Sequence, residues 1–380
     1  MPRPSTTRSA LRGASPRPSR RAVSVLALTA LLAGCAGGTD ADDADVGPAA
    51  TALEVGGDVR THDPALVVDG QGTDDESDDV WYVYSTGDGR VGLGAPQVRR
   101  STDAGATWEY VGEVWTPADE PYWAREAVQG VDNFWAPEVY EHDGTYYLYF
   151  SASTFGSNTS VIGLYTSPTL DPDDPDYRWE DQGEVWRSDG SSPYNAIDPG
   201  IVEDADGTPW MAFGSFWDGL FMVELEWPSG KPVGSTPEEP AGTAEPVHLA
   251  DRGFGDNAIE APYVLERDGW YYLLFSRDSC CKGTDSTYNM AVGRSESVTG
   301  PYVDADGVPL LEDGGTSLLA TDGAMIGPGG QSVSAGRLAF HFYDEALGGD
   351  FRLAVRELAW TDDGWPVART ATELAAAAED

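Results

Sequence analysis

Lysine occurs only twice in the 380 residues, at Lys231 and Lys282. All cationic residues number 23 against 64 acids, and the formal net charge is −41. Nucleic acid and other anionic surfaces are bound through Lys and Arg, so this balance excludes them as partners. Cysteine is scarce too: there are three, and Cys280 and Cys281 are adjacent. Consecutive Cα atoms sit ~3.8 Å apart, below the roughly 4.4–6.8 Å that disulfides span. The pair is therefore expected as packed thiols, with a strained bridge as the alternative in an oxidising space. Sustained helical periodicity is missing until the Ala-rich "TATELAAAAED" end. That excludes an α/β architecture, which needs long amphipathic helices between its strands. The one long apolar run, "AVSVLALTALLAG" before Cys35, falls short of the ~20 residues of a membrane span.

What is present begins with a leader. Residues 1–34 hold six arginines (Arg3, Arg8, Arg12, Arg17, Arg20, Arg21), no acid, and then the apolar run, the layout of an export signal. "LAGC" at Leu32 to Cys35 resembles the lipobox of bacterial lipoproteins, which implies lipidation of Cys35 and a surface anchored to the membrane. The alternative is plain secretion. "SRRAVSV" also resembles a twin-arginine signal. Residues 35–54 are small and acidic and read as a flexible tether. Without the leader 17 basic residues face 64 acids, a net charge near −47. With 41% hydrophobic and 11% aromatic residues, the remainder can build a large core.

That remainder is repetitive. "NAID" at Asn195 to Asp198 returns as "NAIE" at Asn257 to Glu260, and each opens the same frame. A strand begins near a proline, an Asp/Gly-rich turn follows, and a second strand of aromatic and aliphatic residues comes next. "HDPALVVDG", "WAPEVYEHDGTYYLYFSAS" and "IGPGGQSVSAGRLAFHFYD" repeat it, so that Pro64, Pro137, Pro199, Pro262 and Pro328 are spaced 73, 62, 63 and 66 residues apart. Third strands follow, in "VIGLYTSP", "LFMVELEW", "MAVGRSES" and "FRLAVREL". The expected fold is all-β, a five-bladed β-propeller over residues 55–372, with a tail at 373–380.

The first strand of each propeller blade lines the central channel. Beside the five prolines stand Asp63, Ala136 with Trp135, Asp198, Glu260 and Gly327. Three carboxylates from three blades are thus expected in one space. Crowded carboxylates raise one another's pKa, which keeps an acid and a base together at neutral pH. Glycosidic hydrolysis needs such a pair. Glu260 has the reach for a leaving oxygen, and Asp63 could activate water.

"HDP", "FWAPEV", "STFGSNTSVIGL", "NAIDPGIV", "FGSFWDG", "IEAPYV" and "CCKGTDSTY…VGRSESVTGPY", in order over residues 58 to 368, resemble glycoside hydrolase family 43 and within it the arabinan endo-1,5-α-L-arabinosidases. The resemblance implies a five-bladed propeller that inverts configuration in one displacement. Asp63 would be the general base, Glu260 the general acid, and Asp198 the residue that holds and tunes the acid. His62, Trp135, Asn195 and Ser215 would meet substrate, Trp135 by stacking on a sugar. One departure touches a metal. The relatives' "GPGH" histidine helps hold a calcium ion, and here "GPGG" puts Gly330 in its place, followed by Gln331. No cofactor is assigned. His341, in a second strand, is expected to pack inside its blade.

"STDAGATW" at Ser101 to Trp108 resembles the Asp-box of sialidases, a turn-stabilising hairpin, but occurs once and without an arginine cluster for a carboxylated sugar. The expected partner is arabinan or its oligomers, bound by a monomer. An exo-acting arabinofuranosidase or β-xylosidase, and a non-catalytic sugar-binding lipoprotein, remain as alternatives.

Overall fold

The structure, a computed structural model, describes residues 55–72, 76–90 and 94–369; the leader, Cys35, the acidic tether and the C-terminal tail lie outside them. Five antiparallel sheets follow one another along the chain. A two-residue strand β1 (Gly56–Gly57) runs parallel to the outer edge of the first, β2 (Ala65–Asp69), β3 (Val80–Ser85), β4 (Gln97–Ser101) and β5 (Thr107–Glu113). The second blade is β6 (Trp135–His142), β7 (Thr145–Ala152), β8 (Ser160–Ser167) and β9 (Glu180–Ser188). The third has β10 (Gly200–Glu203), β11 (Pro209–Phe213) and β12 (Leu220–Glu226), with β13 (Lys231–Pro232) and β14 (Val247–Ala250) both pairing β12. The fourth is β15 (Ile259–Arg267), β16 (Trp270–Arg277), β17 (Asn289–Ser295) and β18 (Thr316–Leu319). The fifth is β19 (Met325–Ser334), β20 (Arg337–Asp344), β21 (Asp350–Trp360) and β22 (Pro366–Arg369). The innermost strands β2, β6, β10, β15 and β19 touch in sequence and close the ring. This is the five-bladed propeller expected, with every third strand where the sequence put it. One six-residue helix, α1 (Tyr122–Ala127), was not expected; it is too short to carry a periodicity.

Aromatic and aliphatic residues run almost without a break along the middle strands of the blades, because each sheet buries both faces against its neighbours. Among the described residues five apolar clusters result, one at each blade interface. Tyr84, Phe134 and Phe150 join blades one and two, and Leu66, Val83 and Val355 join blades five and one. Among the described residues, no blade borrows a strand from the other end of the chain. Instead Leu66 N–H donates to Ser332 Oγ at 2.9 Å, that hydroxyl donates to Pro64 O at 2.7 Å, and Leu353 N–H donates to Val59 O at 2.7 Å.

The Asp-box is a local device here. Thr107 N–H donates to Asp103 Oδ1 at 2.8 Å, and the Trp108 indole caps Gly105 O at 2.9 Å, fixing the β4–β5 turn.

The five prolines mark one repeated kink. Each is preceded by a residue at positive φ: Asp63 (50°), Ala136 (39°), Asp198 (58°), Ala261 (53°) and Gly327 (57°). Non-glycine residues rarely adopt this conformation, and it clusters at functional sites. The equivalence drawn from sequence therefore needs one correction. Ala261, not Glu260, occupies the position of Asp63 and Asp198. Glu260 sits one residue earlier, as Trp135 does in the second blade, at a bulge between Glu260 and Tyr263. A bulge inserts a residue and re-aims a side chain.

Candidate active site

An open cleft of about 1230 Å³ lies over the mouth of the ring and takes in Asp63, Asp198 and Glu260 from three blades. It exceeds the roughly 300–1,000 Å³ of common small-molecule pockets, so a chain of several sugar rings fits.

The Asp63 carboxylate has two hydrogen-bond partners, both on one oxygen. His62 Nδ1 lies 2.7 Å and Thr86 Oγ1 2.6 Å from Asp63 Oδ2. Burial alone would raise its pKa. The His62 imidazole and its hydrogen bond, His341 and the Thr86 hydroxyl outweigh burial and hold the carboxyl below its usual range. These contacts favour the ionised form that a base needs.

The other two behave oppositely. Glu260 is buried, accepts from Ser215 Oγ at 2.8 Å and is also hydrogen-bonded by Tyr288. Asp198 accepts from Ala261 N–H at 3.2 Å. Burial raises both, and each carboxylate disfavours ionisation of the next. The pair titrates as a unit and retains a proton above the ordinary carboxylate range.

The expected substrate contacts divide. His62 and Trp135 line the cleft, Trp135 with its indole anchored on Asn133 Oδ1 at 3.1 Å and its ring edge-to-face with the exposed Phe155. Asn195 lines it too, with Oδ1 accepting from Ser160 Oγ at 2.6 Å. Ser215 spends its hydroxyl on Glu260. Phe155, Tyr288, Tyr343 and Phe351 also line the cleft without having been singled out. A signal existed for Tyr343: "HFYD" alternates a histidine and a tyrosine on one face of β20.

Two expectations fail. Cys280 and Cys281 are bonded to each other, at the wall of the cleft. The ~3.8 Å between neighbouring Cα atoms is accommodated because Cys281 turns to φ 65°. His341 is fully buried but does not pack inside its blade. It stacks on His62, with ring centroids 3.6 Å apart, and its Nδ1 accepts from Asp63 N–H at 3.1 Å. Gly330 makes this approach feasible: a Cβ there would stand 2.6 Å from Asp63 Oδ1 and 2.8 Å from His341 Nδ1.

The calcium that the sequence resemblance implies would have to be held by these donors. Candidate ligand atoms of His62, Asp63 and His341 lie within 4.8 Å of one another. Calcium takes about six to eight oxygens, and this set is mainly nitrogen. His341 Nδ1 is engaged by Asp63 N–H, and the Gln331 amide is spent on Ser276 Oγ at 2.8 Å and Ala261 O at 2.7 Å. These residues do not fit calcium, and no chemical step here runs through a metal.

Behind the acids lies a water-sized chamber of about 30 Å³, bordered by Asp63, Asp198, Gln331 and the fully enclosed Glu138. Burial pushes the Glu138 carboxyl up to about 8, against hydrogen bonds from Ile201 and Val139 N–H.

Carboxylates held at opposite ends of their titration range around an aromatic-lined, saccharide-sized cleft define a glycoside hydrolase. Residues 60–366 match Glycosyl hydrolases family 43, and the chain belongs to that family. The extracellular endo-alpha-(1->5)-L-arabinanase 1 of Bacillus subtilis (strain 168) is 39% identical over 307 residues, 80% of this chain and 86% of the relative. The extracellular exo-alpha-(1->5)-L-arabinofuranosidase ArbA of Cellvibrio japonicus (strain Ueda107) is 38% identical over 317 residues, 81% and 86% of the two chains. The solved GH43 endo-arabinanase from Bacillus licheniformis superposes with a TM-score of 0.72 at 37% identity, covering 83% of this chain and 99% of that one. The Cellvibrio cellulosa alpha-L-arabinanase complexed with arabinohexaose gives 0.71 at 35%, covering 83% and 97%.

Proposed function

We propose that the chain hydrolyses α-1,5-linked L-arabinan within the polymer, inverting the anomeric centre in one displacement. The observation that carries this is the convergence of Asp63, Asp198 and Glu260 from three blades in one cleft, where burial and neighbours push their titrations apart. Asp63 takes a proton from water as it attacks the anomeric carbon. Glu260 gives its proton to the departing glycosidic oxygen, and Asp198 keeps that proton on the acid pair until needed. His62 orients Asp63, Ser215 orients Glu260, and Trp135 with Phe155 offers aromatic faces to sugar rings. Among the described residues nothing caps the cleft, which suits mid-chain cutting. Two relatives described as extracellular support export, and the lipobox-like "LAGC" supports a lipid on Cys35 that keeps the enzyme at the cell surface.

Purified protein incubated with linear arabinan, arabino-oligosaccharides and aryl glycosides tests the reading. Early products of mixed length, released as β-anomers by NMR, are expected. Arabinose alone from chain ends would make the enzyme exo-acting, and no product from any of them would leave a binding protein. Mass spectrometry of the exported chain finds or fails to find lipid on Cys35.

A further inference from the structure

The loop between β16 and β17 brings the bonded Cys280 and Cys281 to the cleft. Nothing in the acid–base chemistry accounts for them. Cys281 Sγ lies 3.9 Å from His62 Nε2, and a hydrogen-bonded path also ties this pair to the base. Cys281 N–H donates to Tyr343 Oη at 2.7 Å. The same oxygen lies 3.0 Å from His62 Nε2 and 3.4 Å from His341 Nε2. His62 Nδ1, in turn, lies 2.7 Å from Asp63 Oδ2.

Counting protons fixes the direction of each bond. His341 Nδ1 accepts Asp63 N–H, so this imidazole, kept neutral by burial, carries its proton on Nε2. That proton and the Cys281 amide both lie within hydrogen-bond reach of Tyr343 Oη. A phenol oxygen has two lone pairs and one proton. With the lone pairs filled, the proton of Tyr343 is left for His62 Nε2. His62 then carries its own proton on Nδ1 and donates it to Asp63 Oδ2. Thr86 Oγ1 donates to that same oxygen. Asp63 Oδ2 is saturated, and Oδ1 remains to take the proton of water.

We infer that the Cys280–Cys281 disulfide and Tyr343 are positioning residues for the base: the bonded pair keeps the Cys281 amide on Tyr343, which orients His62 and so decides which oxygen of Asp63 meets water. The covalent bond matters because Cys281 sits at φ 65°, a conformation a free loop residue seldom holds. Opening the bond lets Cys281 relax and withdraws its amide. Tyr343 then loses a fixed acceptor geometry, and the direction of its proton is no longer set. The inference rests on Asp63 acting as the base.

The test uses the full chain on linear arabinan. Tyr343→Phe is expected to lower kcat about tenfold, the cost of one hydrogen bond to a charged cluster, with KM within about threefold. Cys281 is exposed, so a phosphine reductant reaches it. Reduced wild type, verified by mass and by new titratable thiols, should lose kcat to a similar degree and regain it on reoxidation. Reduced Tyr343→Phe should lose less than reduced wild type, because the hydrogen-bonded path is already cut and only the contact of Cys281 Sγ with His62 remains. Wild type that keeps its kcat when verifiably reduced overturns the inference. So does a reduction loss as large in Tyr343→Phe as in wild type, which would make the pair only a wall of the cleft. If Tyr343→Phe does not fold, the kcat and KM of reduced wild type decide: a rise in KM alone overturns it. Asp63→Asn, measured alongside, distinguishes failure of the base assignment, since an active Asp63→Asn enzyme removes the premise.

Discussion

The amide of Ala261 donates to Asp198 Oδ2 at 3.2 Å, so the third blade's carboxylate is fastened to the residue that follows Glu260. The extra residue in the fourth blade makes this contact. Ala261 takes over the left-handed position, frees its N–H for Asp198, and displaces Glu260 toward Ser215.

Replacing Asp198 with Asn should therefore act through the acid. The amide keeps an acceptor for Ala261 but removes the group with which Glu260 titrates as a pair, so Glu260 no longer carries the pair's upper titration. Activity needs protonated Glu260 and is lost as pH rises through its pKa. A lowered pKa moves the basic limb of kcat/KM to lower pH. A limb that stays in place, with full activity, would make Asp198 purely structural.

Asp63→Asn and Glu260→Gln should each cost at least ~10²-fold in turnover on linear arabinan, since each removes one proton-transfer role. Thermal midpoints should stay near wild type. Retention of more than about a third of activity would remove that residue from its role.

Much of this was readable because the repeat is physical. Five prolines at near-constant spacing mark five inner strands, and Asp63, Asp198 and Glu260 converge as their register implies. The hidden part lies in backbone detail. Whether an acid stands one or two residues before a proline looks trivial in sequence, yet at Glu260 it decides between the kink and the bulge. His341 was misplaced because period-two reasoning assumes a regular ladder. Register shifts between Ile326 and Gly329 and between Gly329 and Ser332, with no side chain at Gly330, open the way to Asp63. The disulfide was discounted on Cα spacing, which ignores what a left-handed turn at Cys281 permits.

Gly330→Ala should be damaging beyond its size. Its φ of 60° disfavours a side chain by about 1 kcal/mol, and the new Cβ would stand 2.6 Å from Asp63 Oδ1. A loss of kcat of about tenfold or more is expected. Gly330→His fits no better, and so would not simply install a metal ligand. In wild type, a chelator should leave kcat within about twofold, because the donors here do not suit calcium. Inactivation by chelator with rescue by calcium would refute this.

Glu138 should make stability fall with pH. Its folded pKa is raised from 4.5 to about 8. Between those values the folded state holds a proton that the unfolded state has released, so unfolding becomes easier as pH rises through that window. Asp198 and Glu260 add to the same trend. Glu138→Gln should flatten the decline in melting temperature between about pH 5 and pH 8. An unchanged slope would show the carboxyl to be ionised already.

The seam between the first and fifth blades, closed by the Ser332 hydroxyl and the Val59–Leu353 contact instead of a shared strand, is also where the nucleophile is prepared. Asp63 and His62 come from one side of that seam, and His341 and Tyr343 from the other. Heat that parts the two ends of the chain by a fraction of an ångström therefore silences the enzyme while most of its tryptophans still report an intact protein. Inactivation should precede melting, and a clasp across the join would lengthen working life more than any improvement to the core.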